Sequence, residues 1–302
     1  MSTTPLSTNG PTSLPVRSAL RDGLRGAMQW RLWLLWIGAS LACALIAALP
    51  AWNWLAAGLN HSMHAQAIAN GEAPVLVLDL LLSRNAPHGV IGESTTVAAI
   101  LMLLLSPLLA GATIAAIRSR SRPGFGDLLR GAIGEYGPLL RMLVWSAIPL
   151  GLALLVMTVI LGANETAHES AIDGSAAATG RNIAFVVGAV LFVLAHASLE
   201  AGRGWLATDG RLRSALKAWW LGVKLLFRRP VAVLLAWLVT TALGLAAALL
   251  FVFLRQYAGG ASLGGFLLAM LLGCGIAAGL AFGRIARLYA MAALAGDMHA
   301  RR

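Results

Sequence analysis

The stretch VRSALRDGLRGAMQWRLWLLWIGASLACALIAALPAWNW, residues 16–54, decides the fold. In its first part arginine recurs every fourth residue (Arg17, Arg21, Arg25), and apolar side chains do the same (Leu20, Leu24, Met28). A helix there carries charge on one face and apolar groups on another. Residues 32–54 then contain no charged side chain. A bilayer core of ~30 Å needs about 20 apolar residues in helical form, and this run supplies them. Trp30, Trp33 and Trp36 stand at one end of it and Trp52 and Trp54 at the other, where amphipathic rings favour the headgroup zone.

Working outward, five more runs of this kind appear at about residues 95–117, 142–162, 182–199, 230–254 and 263–283. Every backbone amide in lipid must be paired within its own segment, so helices are expected, and the alternation of barrel strands is absent. The whole chain agrees. Of its 302 residues 59% are hydrophobic and only 12% charged, against about 25% charged in soluble domains. The fold class read here is all-α: a polytopic membrane protein with six transmembrane helices in residues 16–302, preceded by a polar, disordered tail over residues 1–15. The first apolar run starts too late, and is too long, for a signal peptide.

Charge sets the orientation. With the N-terminus inside, 20 of the 23 basic residues fall in cytoplasmic segments, and only Arg84, Arg181 and Arg255 fall outside. This is the positive-inside bias, repeated in every loop, and one span more or fewer would scramble it. Both termini are therefore expected in the cytoplasm. The net charge of +11 does not indicate nucleic acid, because the basic residues sit in short clusters beside apolar runs.

The amphipathic stretch before the first span recurs before the third and fifth. Asp22, Leu24, Arg25, Gly26 and Ala27 match Asp127, Leu129, Arg130, Gly131 and Ala132, and Leu216-Lys217-Ala218 keeps the place in the third copy. This predicts three units, each a basic interfacial helix followed by a transmembrane hairpin. Arg17, Arg21, Arg25, Arg130, Arg213, Lys217 and Lys224 are the candidate contacts to anionic lipid of the inner leaflet. The alternative is that these helices only satisfy topology. Small residues (Gly265, Gly273, Gly275, Gly279, Gly283) line the sixth span and mark helix–helix contact, within the chain, with a membrane-protein partner or with a second copy. Pro107 and Pro149 should kink the second and third spans. Cys43 and Cys274 read as packing residues.

Ionisable groups inside a membrane are candidates for function. His196, Glu200 and Arg203 share a face at the inner end of the fourth span, and Arg284 and Arg287 end the sixth. Either Glu200 pairs with Arg203 or Arg284 and anchors helix ends, or the group forms a polar vestibule or a lipid-headgroup site. His61, His64 and His88 in the first outer loop lack the spacing of a metal site, and no metal or cofactor is expected. No phosphate loop, zinc-protease helix or nucleophile elbow is present. The reading is a non-catalytic membrane protein acting through lipid or protein contacts. Two rivals stand beside it: a transporter with a cavity lined by Ser106, Thr113, Ser146, Thr158, Thr240 and Thr241, and an intramembrane enzyme using His196 and Glu200.

Three short segments, residues 61–65 (HSMHA), 126–131 (GDLLRG) and 200–203 (EAGR) with 209–211 (DGR), resemble uncharacterised bacterial six-helix membrane proteins. They are loosely similar to the membrane domain attached to some glycerophosphoryl diester phosphodiesterases. The resemblance implies a bacterial inner membrane and six helices. It implies no catalytic residue, since the soluble phosphodiesterase domain has no counterpart here.

Overall fold

The computed structural model describes residues 14–59, 62–70, 72–119, 123–169, 174–258 and 262–301, and among these it contains helices and no strands. In chain order they are α1 (Val16–Ala27), α2 (Trp30–Leu59), α3 (Ala65–Ala69), α4 (Pro74–Leu82), α5 (His88–Arg118), α6 (Phe125–Ala167), α7 (Gly174–Thr208), α8 (Ala215–Arg228), α9 (Pro230–Arg255) and α10 (Leu263–Ala300). Six of them, α2, α5, α6, α7, α9 and α10, are long and apolar enough to cross a membrane. They are the six expected spans, each inside a longer helix.

The extra length lies mainly at one end. α6 has 43 residues and α10 has 38, so they run about 64 and 57 Å, well beyond a ~30 Å core. The surplus turns of α6, α7 and α10 gather with α1 and α8 at the end that carries most of the arginines, here the basic end. Burial concentrates there: Trp205, Leu206, Leu225, Met291 and Leu294 are almost fully enclosed. Toward the other end Leu45, Val159, Leu249 and Leu271 are each 60% exposed or more. Apolar exposure on that scale needs lipid as the solvent.

The hairpins α2–α5, α6–α7 and α9–α10 each pack together, and each amphipathic segment packs on the second helix of the hairpin before it. The first turns of α6 lie on α5, α8 lies on α7, and α1 closes the ring on α10. The second amphipathic stretch differs from the expectation in one respect. It is not a separate interfacial helix but the start of α6, continuous with the third span. α1 and α8 are separate, broken from the next helix at Met28–Gln29 and at Arg229.

Small residues make these joints. α1 buries Ala19, Gly23 and Ala27, a stripe one position before the larger Leu20, Leu24 and Met28. A Cβ on Gly23 would sit 2.7 Å from the Ala286 carbonyl oxygen, and one on Gly111 would sit 2.9 Å from that of Ala132. Only glycine permits so close an approach of two backbones. Two arginine clamps add to the joints. Arg118, at the end of α5, donates to the backbone carbonyls of Leu206 and Ala207 and to Glu135, at 3.0 Å for Ala207 and 2.7 Å for Glu135. Arg229 donates to Asp297 at 2.8 Å and to the Leu14 carbonyl, and the Leu14 amide donates to Asp297 at 3.1 Å. Leu14 is thus held by α10 rather than belonging to a free tail. The rest of the tail, to residue 13, lies outside the described residues, as does His61.

Candidate functional site: a basic cavity between the inner helices

The second helices of the three hairpins, α5, α7 and α10, contact one another. Between them and α6 lies a cavity of about 560 Å³. Its basic end holds all five residues singled out by the sequence: His196, Glu200, Arg203, Arg284 and Arg287. Helical spacing puts the first three on one face of α7 and the last two within one turn of α10.

Glu200 is the hub. Its Oε1 accepts from Arg203 Nη1 at 2.8 Å, with Arg287 Nη2 at 3.5 Å and His196 Nε2 at 3.9 Å. The Glu200 side chain is only 5% exposed. Of the two arginines the sequence offered as its partner, Arg203 is one and Arg284 is not. Arg287 from α10 takes that place, and its Nη1 donates to Thr241 Oγ1 of α9 at 2.9 Å. The Nε of Arg287 is buried and makes no hydrogen bond. Arg284 is exposed, lies 5.2 Å above the ring of Trp36, and meets no carboxylate among the described residues. Three guanidinium groups thus face one carboxylate, a surplus of two positive charges.

His196 Nδ1 accepts from the Trp237 indole N–H at 2.8 Å. That bond places the ring proton on Nε2, toward Glu200. The Nδ1 lone pair is therefore engaged, while Nε2 lies 3.9 Å from Glu200, beyond hydrogen-bond distance. The arrangement is a cavity wall with an excess of positive charge. It offers neither a nucleophile beside a base nor a metal set: among the described residues no three His, Cys, Asp or Glu side chains converge.

Of the hydroxyls a transport pathway would use, Ser106, Thr113 and Ser146 line the cavity. Thr241 is bound to Arg287, Thr240 is sealed in the α9–α10 contact, and Thr158 does not reach the cavity. Ser106 has a structural task as well. Pro107 cannot donate to the Leu103 carbonyl, and Ser106 Oγ does so instead, at 2.8 Å.

The remaining candidates lie elsewhere. Arg17, Arg21, Arg25, Arg130, Arg213, Lys217 and Lys224 are all exposed, though Arg213 also donates to the Gly134 carbonyl at 3.1 Å. Gly275, Gly279 and Gly283 face α9, at Phe251, Ala248 and Thr240 in turn. Gly273 lies beside the Arg255 guanidinium, and Gly265 sits in the first turn of α10, where its amide donates to Ser262. Sequence reasoning missed Trp36, Trp237 and Glu135. Glu135 carried a signal, being an acid on the otherwise apolar side of an amphipathic stretch. The two tryptophans resembled interfacial anchors and packing residues.

No family model, curated protein or solved structure matches the chain.

Proposed function

We propose that this multi-pass membrane protein binds an anionic ligand in the cavity between α5, α6, α7 and α10, without transforming it. The carrying observation is the surplus of two positive charges on a cavity wall between membrane-crossing helices. A guanidinium held at such a place is costly unless an anion offsets it. The positive-inside bias supports a cytoplasmic location for the basic end, and for both termini with it. The segment resemblance supports the inner membrane of a bacterium. The exposed arginines of α1 and the basic side chains of α8 support contact with the anionic inner leaflet, at about 1 kcal/mol per residue.

The test uses the purified full chain in a neutral detergent, titrated with inorganic phosphate and followed by tryptophan fluorescence. Trp36 and Trp237 border the charged groups and should report occupancy. A saturable change in the wild type that is lost in Arg284→Gln is expected. An identical, non-saturating response in both proteins would refute the proposal.

A further inference from the structure

The cavity is far longer than an inorganic anion requires, and its two ends differ in chemistry. On α5 its lining extends from Thr113 to Ala99, fourteen helical steps or about 21 Å of helix. The charged groups occupy only the basic end. Beyond them the wall is mostly apolar, formed by Met102, Leu103 and Pro107 of α5 and Leu143 and Leu150 of α6, and its two hydroxyls, Ser106 and Ser146, donate to the Leu103 and Leu143 carbonyls of their own helices. Ala99 and Leu103 are exposed, so protein does not seal the apolar part. A free phosphate would leave that surface unused, and water there would face few polar partners. Apolar walls with a few convergent polar groups are what small amphiphilic molecules select.

We infer that the ligand is an anionic amphiphile, with a phosphate or carboxylate head at Arg284 and Arg287 and a hydrocarbon chain along the apolar wall of α5 and α6. This rests on the anion-binding reading above and names its ligand class. Arg284 offers a guanidinium with no carboxylate at ion-pair distance among the described residues, and Arg287 the buried, unbonded Nε. Guanidinium groups can clamp a phosphate or carboxylate by two parallel hydrogen bonds, while Glu200 holds Arg203 and Arg287 in place. Each methylene that leaves water for the wall adds about fourfold in affinity, so four of them give more than about a hundredfold.

The experiment compares three probes on the purified chain in neutral detergent, by native mass spectrometry and thermal unfolding. Dodecyl phosphate carries head and chain, inorganic phosphate the head alone, and dodecyltrimethylammonium the chain with the opposite charge. One bound dodecyl phosphate is expected, held at least a hundredfold more tightly than inorganic phosphate, with no equivalent binding of the cation. Arg284→Gln, which breaks no ion pair, should remove it, and Ala99→Trp should weaken the chain-bearing probe while leaving inorganic phosphate bound. If dodecyl phosphate binds no better than inorganic phosphate, the amphiphile inference falls and the anion site stands. If no probe responds to Arg284→Gln, both fall. Equal binding of the cation would mean partition into the detergent rim and would also overturn the inference.

Discussion

Replacing Glu200 by glutamine should move stability and anion affinity in opposite directions. The carboxylate is almost fully buried and holds Arg203 at 2.8 Å and Arg287 at 3.5 Å. Removing it leaves three guanidinium groups with no negative partner in the cavity. Breaking a buried pair by deleting one member costs about 3–5 kcal/mol, because the remaining charge stays desolvated. Arg203 keeps a quarter of its side-chain exposure, so the lower part of that range applies. The same change raises the positive surplus from two charges to three, which favours an anion. Unit charges 4 Å apart at an effective dielectric constant of 20 interact by about 4 kcal/mol, so a tenfold tightening, about 1.4 kcal/mol, is a conservative expectation. Unfolding in detergent measures the first effect and dodecyl phosphate titration the second. The double variant Glu200→Gln, Arg287→Gln should recover part of the lost stability, since it also removes an unpaired cation. Weaker anion binding in Glu200→Gln would refute the reasoning, because it would make Glu200 part of the recognition surface rather than a brace behind it.

Other outcomes follow from the packing and the charge distribution. Gly283→Leu should reduce folded yield, since a Cβ there meets the Thr240 carbonyl oxygen at 2.9 Å, whereas Gly264→Leu, with open space around it, should be tolerated; detergent-solubilised size exclusion compares the two. Changing Arg17, Arg21 and Arg25 together to glutamine should lower co-purified anionic lipid, as about 3 kcal/mol of surface attraction is removed; unchanged lipid content would exclude α1 as a lipid contact. In a background free of Cys43 and Cys274, a membrane-impermeant maleimide should label Glu169→Cys from outside intact cells and leave Ala300→Cys unlabelled; the reverse pattern would invert the orientation.

The spans were legible in the sequence because hydrocarbon imposes a requirement on every residue of a segment. A run such as 32–54 has one reading, and six such runs became six helices. Helix ends were less legible. Nothing in the composition of residues 125–141 tells an interfacial helix from the first turns of a longer one; the difference is the break that Met28–Gln29 and Arg229 provide elsewhere and that the start of α6 lacks. The charged cluster on α7 was visible because its members stand at i, i+4 and i+7 on one helix. That Arg287 rather than Arg284 would meet Glu200, and that Thr241 and Trp237 of α9 and Trp36 of α2 would join the group, was not, since those meetings depend on which helices become neighbours. The sequence marked Leu20, Leu24 and Met28 as the apolar stripe of α1 and did not single out the small residues one position before it. Hydrophobicity points to leucine, but close helix contact selects Ala19, Gly23 and Ala27.

The ring of hairpins explains why the cavity lies where it does. Each amphipathic segment is pinned to the second helix of the preceding hairpin, by backbone contact at Gly23, Gly111 and Gly222. Those three contacts hold α5, α7 and α10 at their basic ends, from outside. The pinned ends are also where each helix leaves the hydrocarbon, so polar side chains are tolerated there at the least cost. Three equivalent helix ends could carry three equivalent chemistries, but they do not. α5 contributes Thr113, whose hydroxyl is spent on the Leu109 carbonyl; α7 contributes the single acid; α10 contributes the two arginines that exceed it. The anchors elsewhere in the same molecule carry a smaller excess: Glu135 meets Arg118 and Arg213, and Asp297 meets Arg229 and Arg301, one cation over each acid. The larger excess, two cations over one acid, lies on a cavity wall between membrane-crossing helices, and that is the physical reason to assign it to a ligand.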